Sequence, residues 1–200
     1  CEAVGIPVVL FNRGQAGSGL AQVTSANRLG GAKVAEFLVA GGHRRIGHVA
    51  GWQGSSTGRD RTEGFLTRLA EFGQYCVGVE DGRYDHAEAV RATDVLVAKG
   101  VDSLFVGNDH MAFAVMDHLR SGLGLKIPGD VSVVGYDDVP MAGFAAYDLT
   151  TVRQPVGRMV KATVAALVNQ IEDKSAQAEV TEIDGPLILR GSARIPEGLA

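Results

Sequence analysis

Two hundred residues, 46% of them hydrophobic and 21% charged, form the composition of a globular chain and exclude a disordered, fibrous or disulfide-stapled one. Lys and Arg number 19 against 23 Asp and Glu, a formal net charge of -4, which excludes a segment that clamps a nucleic-acid backbone by its own charge. Apolar runs such as 131–134 fall far short of a membrane span and no basic-then-apolar leader opens the chain, so a cytoplasmic location and no membrane partner are expected.

Apolar β-rich runs alternate with segments of helical period along the chain, the pattern of an α/β protein with a mainly parallel sheet and crossover helices. Only residues 1–6 precede the first strand-like run, 7–11, which reads as the mark of a fragment. A Gly/Ser-rich loop then runs to Gly19, and a helix with Leu29, Val34, Phe37 and Leu38 on one face ends at Gly41-Gly42. Residues 46–50 form the next strand, and a loop of small residues, 51–58, leads to a helix carrying Phe65, Leu66, Leu69 and Phe72. Strand 75–79, a turn at 82–85 and helix 87–98 follow; then strand 103–107, a helix through Arg120 and strand 131–135. At the end come strand 149–152, a helix with Pro155 as its first residue, a polar linker 172–177, and β-like pieces at 180–183 and 187–189.

In an open parallel sheet the ligand site lies beyond the carboxyl ends of the strands, where loops converge and helix N-termini present free N–H groups. That rule selects Asn12, the Ser55-Ser56-Thr57 loop with Arg59 and Arg61, Tyr84, Asn108 with Asp109, and Asp137 with Asp138. Amides, carboxylates, a guanidinium and one aromatic suit a hydroxyl-rich ligand such as a sugar, since each polar group needs a fixed partner once water is excluded. Asp109 reads as a helix N-cap rather than a ligand group, and one of Asp137 and Asp138 as holding its own turn. Trp52, at a strand end, reads as packing or as a stacking platform, with packing preferred.

An enzyme has one rival signal, Gly54-Ser55-Ser56-Thr57-Gly58, which fits the nucleophile-elbow pattern between a strand and a helix. His110 and His118 lie on a helix and no histidine follows His118, so the triad order fails and no catalytic residue is assigned. Gly17-Ser18-Gly19 lacks the third glycine of a dinucleotide loop, because Gln22 stands in its place. Neither the five histidines nor Cys1 and Cys76 have metal-ligand spacing, so no metal and no cofactor is expected.

Five motifs in order resemble the LacI/GalR-type regulators: Gly42-His43-Arg44-Arg45-Ile46-Gly47, Arg61-Thr62-Glu63-Gly64-Phe65, Asn108-Asp109-His110-Met111-Ala112, the run 127–138 containing Gly135-Tyr136-Asp137-Asp138, and Leu149-Thr150-Thr151-Val152-Arg153-Gln154-Pro155. The resemblance implies a periplasmic-binding-protein-like type I fold, two Rossmann-like lobes of parallel sheet flanked by helices, the first lobe incomplete here. Residues 1–25 and 153–182 would belong to the first lobe, and 26–152 and 183–200 to the second. It implies effector contacts from Arg61, Asn108 and Asp137 above all, with Asn12, Tyr84 and Gln154 beside them, and the strand-end rule adds Ser55 to this effector-binding set. Asn12 stands where the lactose-responsive member has Asp, and Ser25 where many members carry one. The implied partners are a small sugar-like effector, operator DNA through a headpiece absent from this chain, and a second copy docked through the apolar segment 141–147. The alternative is a secreted sugar-binding protein serving a transporter; a hydrolase ranks third.

Overall fold

The computed structural model describes residues 6–173 and 175–198, so Cys1 and the extreme termini lie outside it. In chain order the elements are β1 (Val9–Phe11), β2 (Ala21–Ser25), α1 (Asn27–Ala40), β3 (Ile46–Ala50), α2 (Ser56–Glu71), β4 (Gly78–Asp81), α3 (His86–Ala98), β5 (Ser103–Val106) and α4 (Asp109–Asp117). After them come β6 (Ser132–Asp137), β7 (Thr150–Arg153), α5 (Val156–Glu172), β8 (Val180–Ile183) and β9 (Leu187–Ile188). They build two sheets, a three-stranded one in the order β1-β2-β8 and a six-stranded one in the order β4-β3-β5-β6-β7-β9. Every pairing is parallel except β7 with β9, and the mixed α/β periplasmic-binding-protein-like architecture expected from the sequence is present.

Strand alternation sets the layers. Leu104 and Val106 of β5 point into one apolar cluster with Ala89, Ala92 and Leu96 of α3 and Met111, Ala112 and Val115 of α4. Phe105 between them points the other way, into a cluster with Val34 and Leu38 of α1 and Phe65 and Leu69 of α2. Both faces of the large sheet are therefore covered, as a parallel sheet requires. From β3 the chain runs outward to β4 and then returns to β5 on the other side of β3, so the strand order switches direction between β3 and β5. The crevice at such a switch is where open α/β sheets bind ligands.

Helices α1 and α2 approach closely because glycines stand at their crossing. A Cβ on Gly31 would enter the carbonyl oxygen of Arg61, and one on Gly64 would enter that of Arg28. The chain passes between the sheets three times, at β2 to α1, at β7 to α5 and at β8 to β9. These passages are tied together: Ala26 N–H donates to Ile183 O at 3.0 Å, and Arg153 N–H to Pro186 O at 2.9 Å.

Four elements differ from expectation. β2 falls where a loop leading to a helix was expected; its inward residues Ala21, Val23 and Ser25 include one strongly apolar side chain, too weak a period-two signal to read. The strand expected at 75–79 forms at Gly78–Asp81, with Tyr75 79% exposed before it. Pro155 is the residue before α5 rather than its first, and α4 ends at Asp117, where the backbone widens into a π turn, His118–Gly122.

His48 of β3 is fully buried, its Nδ1 3.0 Å from Phe105 O and its Nε2 3.0 Å from Thr62 Oγ1, and its ring stacks on Phe105 at 4.6 Å. Burial pushes its pKa down to about 4, against the hydrogen bond to Phe105. The unfolded chain thus takes up a proton near 6.5 that the folded chain refuses until about 4, so this stabilisation is present above 6.5 and is lost as pH falls toward 4. We expect H48F to be less stable than the wild type at pH 7.5 in urea titrations, with the gap closing by up to about 3 kcal/mol toward pH 4. At the helix crossing, G64A should cost about 2 kcal/mol although alanine is the better helix former, because the collision is with backbone that cannot rotate away.

Candidate functional site

Arg61 stands in the second turn of α2, at the switch between β3 and β5, and is 3% exposed. Its Nε donates to Asn27 Oδ1 at 2.9 Å, its Nη1 to Gly107 O at 2.7 Å, and its Nη2 lies 3.1 Å from Asp137 Oδ1. The guanidinium carbon sits 3.6 Å from the centroid of the Tyr136 ring, a cation–π stack. Tyr136 is held in turn by Gly30 of α1, where a Cβ would enter the ring. Burial pushes the Tyr136 hydroxyl pKa up, and the Arg61 charge opposes it, so the phenol is neutral. One side chain thereby joins the β2-to-α1 passage, the end of β5 and the end of β6.

Asp137 ends β6 in a left-handed conformation, φ +119, with its side chain about a fifth exposed. Its Oδ1 faces Arg61 and also accepts from Gln154 Nε2 at 2.7 Å, so Gln154 at the β7-to-α5 passage joins the same cluster. Asp137 Oδ2 accepts no hydrogen bond from the described residues, which leaves a carboxylate oxygen able to accept from a ligand. Asp138 differs from its neighbour: Arg153 Nε reaches one of its oxygens at 2.5 Å and Arg190 Nη2 the other at 2.7 Å, so it anchors two arginines instead of holding its own turn.

At the end of β5 the helix N-cap is Asn108, not Asp109. Asn108 Oδ1 accepts from Met111 N at 2.9 Å, while its Nδ2 donates to none of the described residues. Asp109 is buried one residue further on, where its oxygens accept from Thr151 Oγ1 at 2.7 Å and Val139 N at 2.9 Å.

The other candidates line the loops around this cluster. Ser55 caps α2, accepting from Gly58 N at 3.1 Å and donating to Trp52 O at 2.9 Å, so its hydroxyl is committed to its own loop. Tyr84, at φ +59, packs its ring on Gly51, places its hydroxyl 3.3 Å from Thr57 Oγ1, and lies under the Arg13 guanidinium at 5.8 Å. Asn12 directly follows β1 at φ +68, and its Oδ1 is buried with no hydrogen-bond partner among the described residues. Arg59 lies on the outer side of α2, bracing the carbonyls of Gln53 and Gly54, so of the two arginines singled out at the start of this helix Arg61 is buried and Arg59 exposed. Trp52 is 47% exposed, its indole against Gly54. Ser56 Oγ accepts from Gly14 N at 2.9 Å, and no histidine among the described residues bonds to it.

Among the described residues no group of three or more His, Cys, Asp or Glu is placed to hold a metal ion. Sequence reasoning missed Asn27 and Tyr136, the long-range partners of Arg61. The run Gly135-Tyr136-Asp137 was visible, but a strand tyrosine carries no local sign that a distant guanidinium stacks on it.

Residues 35–193 match the periplasmic binding protein-like domain family. The chain is 34% identical over 193 residues to the HTH-type transcriptional repressor PurR of Pectobacterium carotovorum subsp. carotovorum, covering 94% of this chain and 56% of that protein. Among solved structures it is similar to a transcriptional regulator CelR–cellobiose complex, with a TM-score of 0.87 and 30% identity over 94% of this chain and 59% of that one. It is also similar to a LacI transcriptional regulator from a Rhodococcus species, with a TM-score of 0.88 and 26% identity over 98% of this chain and 73% of that one. The chain thus spans little more than half the length of the curated relatives it matches.

Replacing Arg61 by the uncharged, similarly long methionine strips partners from Asn27, Gly107 and Asp137 at once. R61M should lose about 3 kcal/mol of stability in denaturant titrations, whereas R59M, on the solvent side, should stay within about 1 kcal/mol of wild type.

Proposed function

We propose, from the premise that this chain belongs to the periplasmic binding protein-like family in its LacI/GalR-type form, that it is the effector-binding part of a transcription regulator. The small sheet with α5 serves as one lobe, residues 6–25, 154–173 and 175–183, and the large sheet with α1–α4 as the other, residues 26–153 and 184–198; the two later bounds expected from the sequence each shift by one residue, because Arg153 ends β7 of the large sheet and Ile183 ends β8 of the small one. A small polar metabolite, sugar-like in its hydroxyls, binds where Asn12 of the first faces Tyr84, Asn108 and Asp137 of the second, with Arg61 and Gln154 fixing the carboxylate. The observation that carries this reading is the Arg61–Asp137–Gln154 cluster: a buried cation orients a carboxylate that keeps one acceptor oxygen open. Beside it the Asn108 amide nitrogen donates to none of the described residues, while its oxygen accepts from Met111. An acceptor and a donor side by side match a hydroxyl pair, each member of which both gives and takes a hydrogen bond.

The regulator reading is favoured over a transporter's sugar-binding protein because the similar curated proteins are named HTH-type repressors. No helix among the described residues is long and apolar enough to cross a membrane. Effector binding then biases two arrangements of the lobes about the three passages, and an attached headpiece reads that bias on operator DNA. The protein acts in the cytoplasm as a homodimer, and Met141 and Phe144, 39% and 56% exposed, belong to the segment that meets the second copy. No step of this scheme needs catalysis, and the protein is a receptor rather than an enzyme.

A thermal-shift screen over pentoses, hexoses, polyols and purines should return a ligand that raises Tm, since binding to the folded form alone stabilises it. D137A and N108A should each weaken that ligand by about 2 to 4 kcal/mol in calorimetric titrations, because each leaves a ligand group unpaired in a closed crevice. Wild-type affinity in both variants would place the site elsewhere.

A further inference from the structure

We propose that Asp109 is a positioning residue, one that holds the Asp137–Asp138 turn through the backbone of Val139 and makes the presentation of Asp137 depend on its own proton; this rests on the effector reading above. Three carboxylates meet at the ends of β5 and β6, and their cations are unequally shared. Asp137 faces Arg61, and Asp138 takes both Arg153 and Arg190. Asp109 forms no ion pair among the described residues, although it is the most deeply buried of the three.

What Asp109 does have is two hydrogen bonds to other elements. Thr151 of β7 donates to Oδ1 at 2.7 Å, and the Val139 N–H donates to Oδ2 at 2.9 Å. Val139 directly follows Asp137 and Asp138, both at positive φ, so the hydrogen bond fixes the exit of a strained turn. Gly135 lies directly beneath, where a Cβ would enter Asp109 Oδ1. The groups that face Asp109 are accounted for on every side. β6 and its turn bring Asp137 and Asp138, β7 brings Thr151 and the Asp138-bound Arg153, and Arg190 follows β9. Arg61 of α2 stands behind Asp137, while α3 and β5 pack against α4 with apolar side chains, and His110 on the same helix is exposed.

Burial, with the charges of Asp137 and Asp138, pushes the Asp109 carboxyl up to about 7 despite the bonds from Thr151 and Val139. As pH falls through that value the group gains a proton. It then accepts less strongly from Val139 N–H, because a neutral acceptor makes a weaker hydrogen bond than a charged one, and its repulsion of Asp137 ends.

Melting curves would blur this effect. The folded chain holds the Asp109 proton where the unfolded chain has released it, so stability falls as pH rises toward 7, while His48 contributes the opposite slope over much of the same range. The test is therefore carboxyl-carbon and amide NMR of the whole ligand-free chain between pH 5 and 9. The Asp109 carboxyl carbon and the Val139 amide should share a midpoint near 7. D109N, in which the amide oxygen still accepts from Val139 and the NH2 meets Thr151, should leave the Val139 amide flat. T151V, which removes a hydrogen bond to the charged form, should move the shared midpoint upward, and it decides the matter if D109N does not fold. An Asp109 carboxyl that titrates in the ordinary carboxylate range, a Val139 amide that still titrates in D109N, or an unmoved midpoint in T151V overturns the proposal. No effector enters this titration, so its failure leaves the effector reading standing, and the failure of a ligand screen leaves the titration standing.

Discussion

A guanidinium buried to 3% exposure is expensive, since taking an ion out of water costs several kcal/mol even after relaxation. Arg61 is tolerated because an amide oxygen, a backbone carbonyl, a carboxylate and the face of a tyrosine surround it. Those four partners come from the start of α1, the loop after β5 and the end of β6, so the same contacts that stabilise the charge also fix three strand ends relative to one another. The close glycine crossing of α1 and α2 is what brings Asn27 within reach of Arg61. Fold and site are therefore one set of contacts around a single charge.

Backbone strain is concentrated at the same place. Of the six non-glycine residues at positive φ among the described residues, five, Asn12, Arg83, Tyr84, Asp137 and Asp138, lie at or just beyond the ends of β1, β4 and β6, and the sixth, Asp148, precedes β7. Such residues cost about 1 kcal/mol or more each and persist only where the surroundings over-determine them. Here the ion pairs at Asp137 and Asp138 and the hydroxyl contact of Tyr84 supply that restraint. A crevice whose side chains are already fixed would lose less entropy if a guest bound there.

Strands β3, β5 and β6 of the large sheet were legible because short β-rich, mostly apolar runs are bounded there by glycine and helix-capping residues. β2 was not, since Ala21, Val23 and Ser25 reach the interior with small side chains and pair between β1 and β8 without an apolar run of their own. The exchange of roles between Asn108 and Asp109 has a similar cause. Both are good caps, and only the extended backbone at Asn108, with Thr151 and Val139 waiting for Asp109, decides between them. The candidate residues were chosen from strand ends and motif order, whereas Asn27 and Tyr136, which hold Arg61 from across the fold, leave no local mark. What separates Ser55 from Asp137 is also invisible in sequence: one hydroxyl is consumed by its own helix cap, while the other side chain keeps an oxygen that no described residue bonds.

The central claim is that a guest completes a polar cluster organised by Arg61. A crystal structure of the chain with a ligand that raises its melting temperature tests it most directly. The account predicts ligand donors within hydrogen-bonding distance of Asp137 Oδ2, ligand acceptors at Asn108 Nδ2, and the Arg61 contacts to Asn27 and Gly107 unchanged. A ligand seated instead in the groove between α1 and α2, lined by Arg28, Glu63, Thr67 and Glu71, would contradict it.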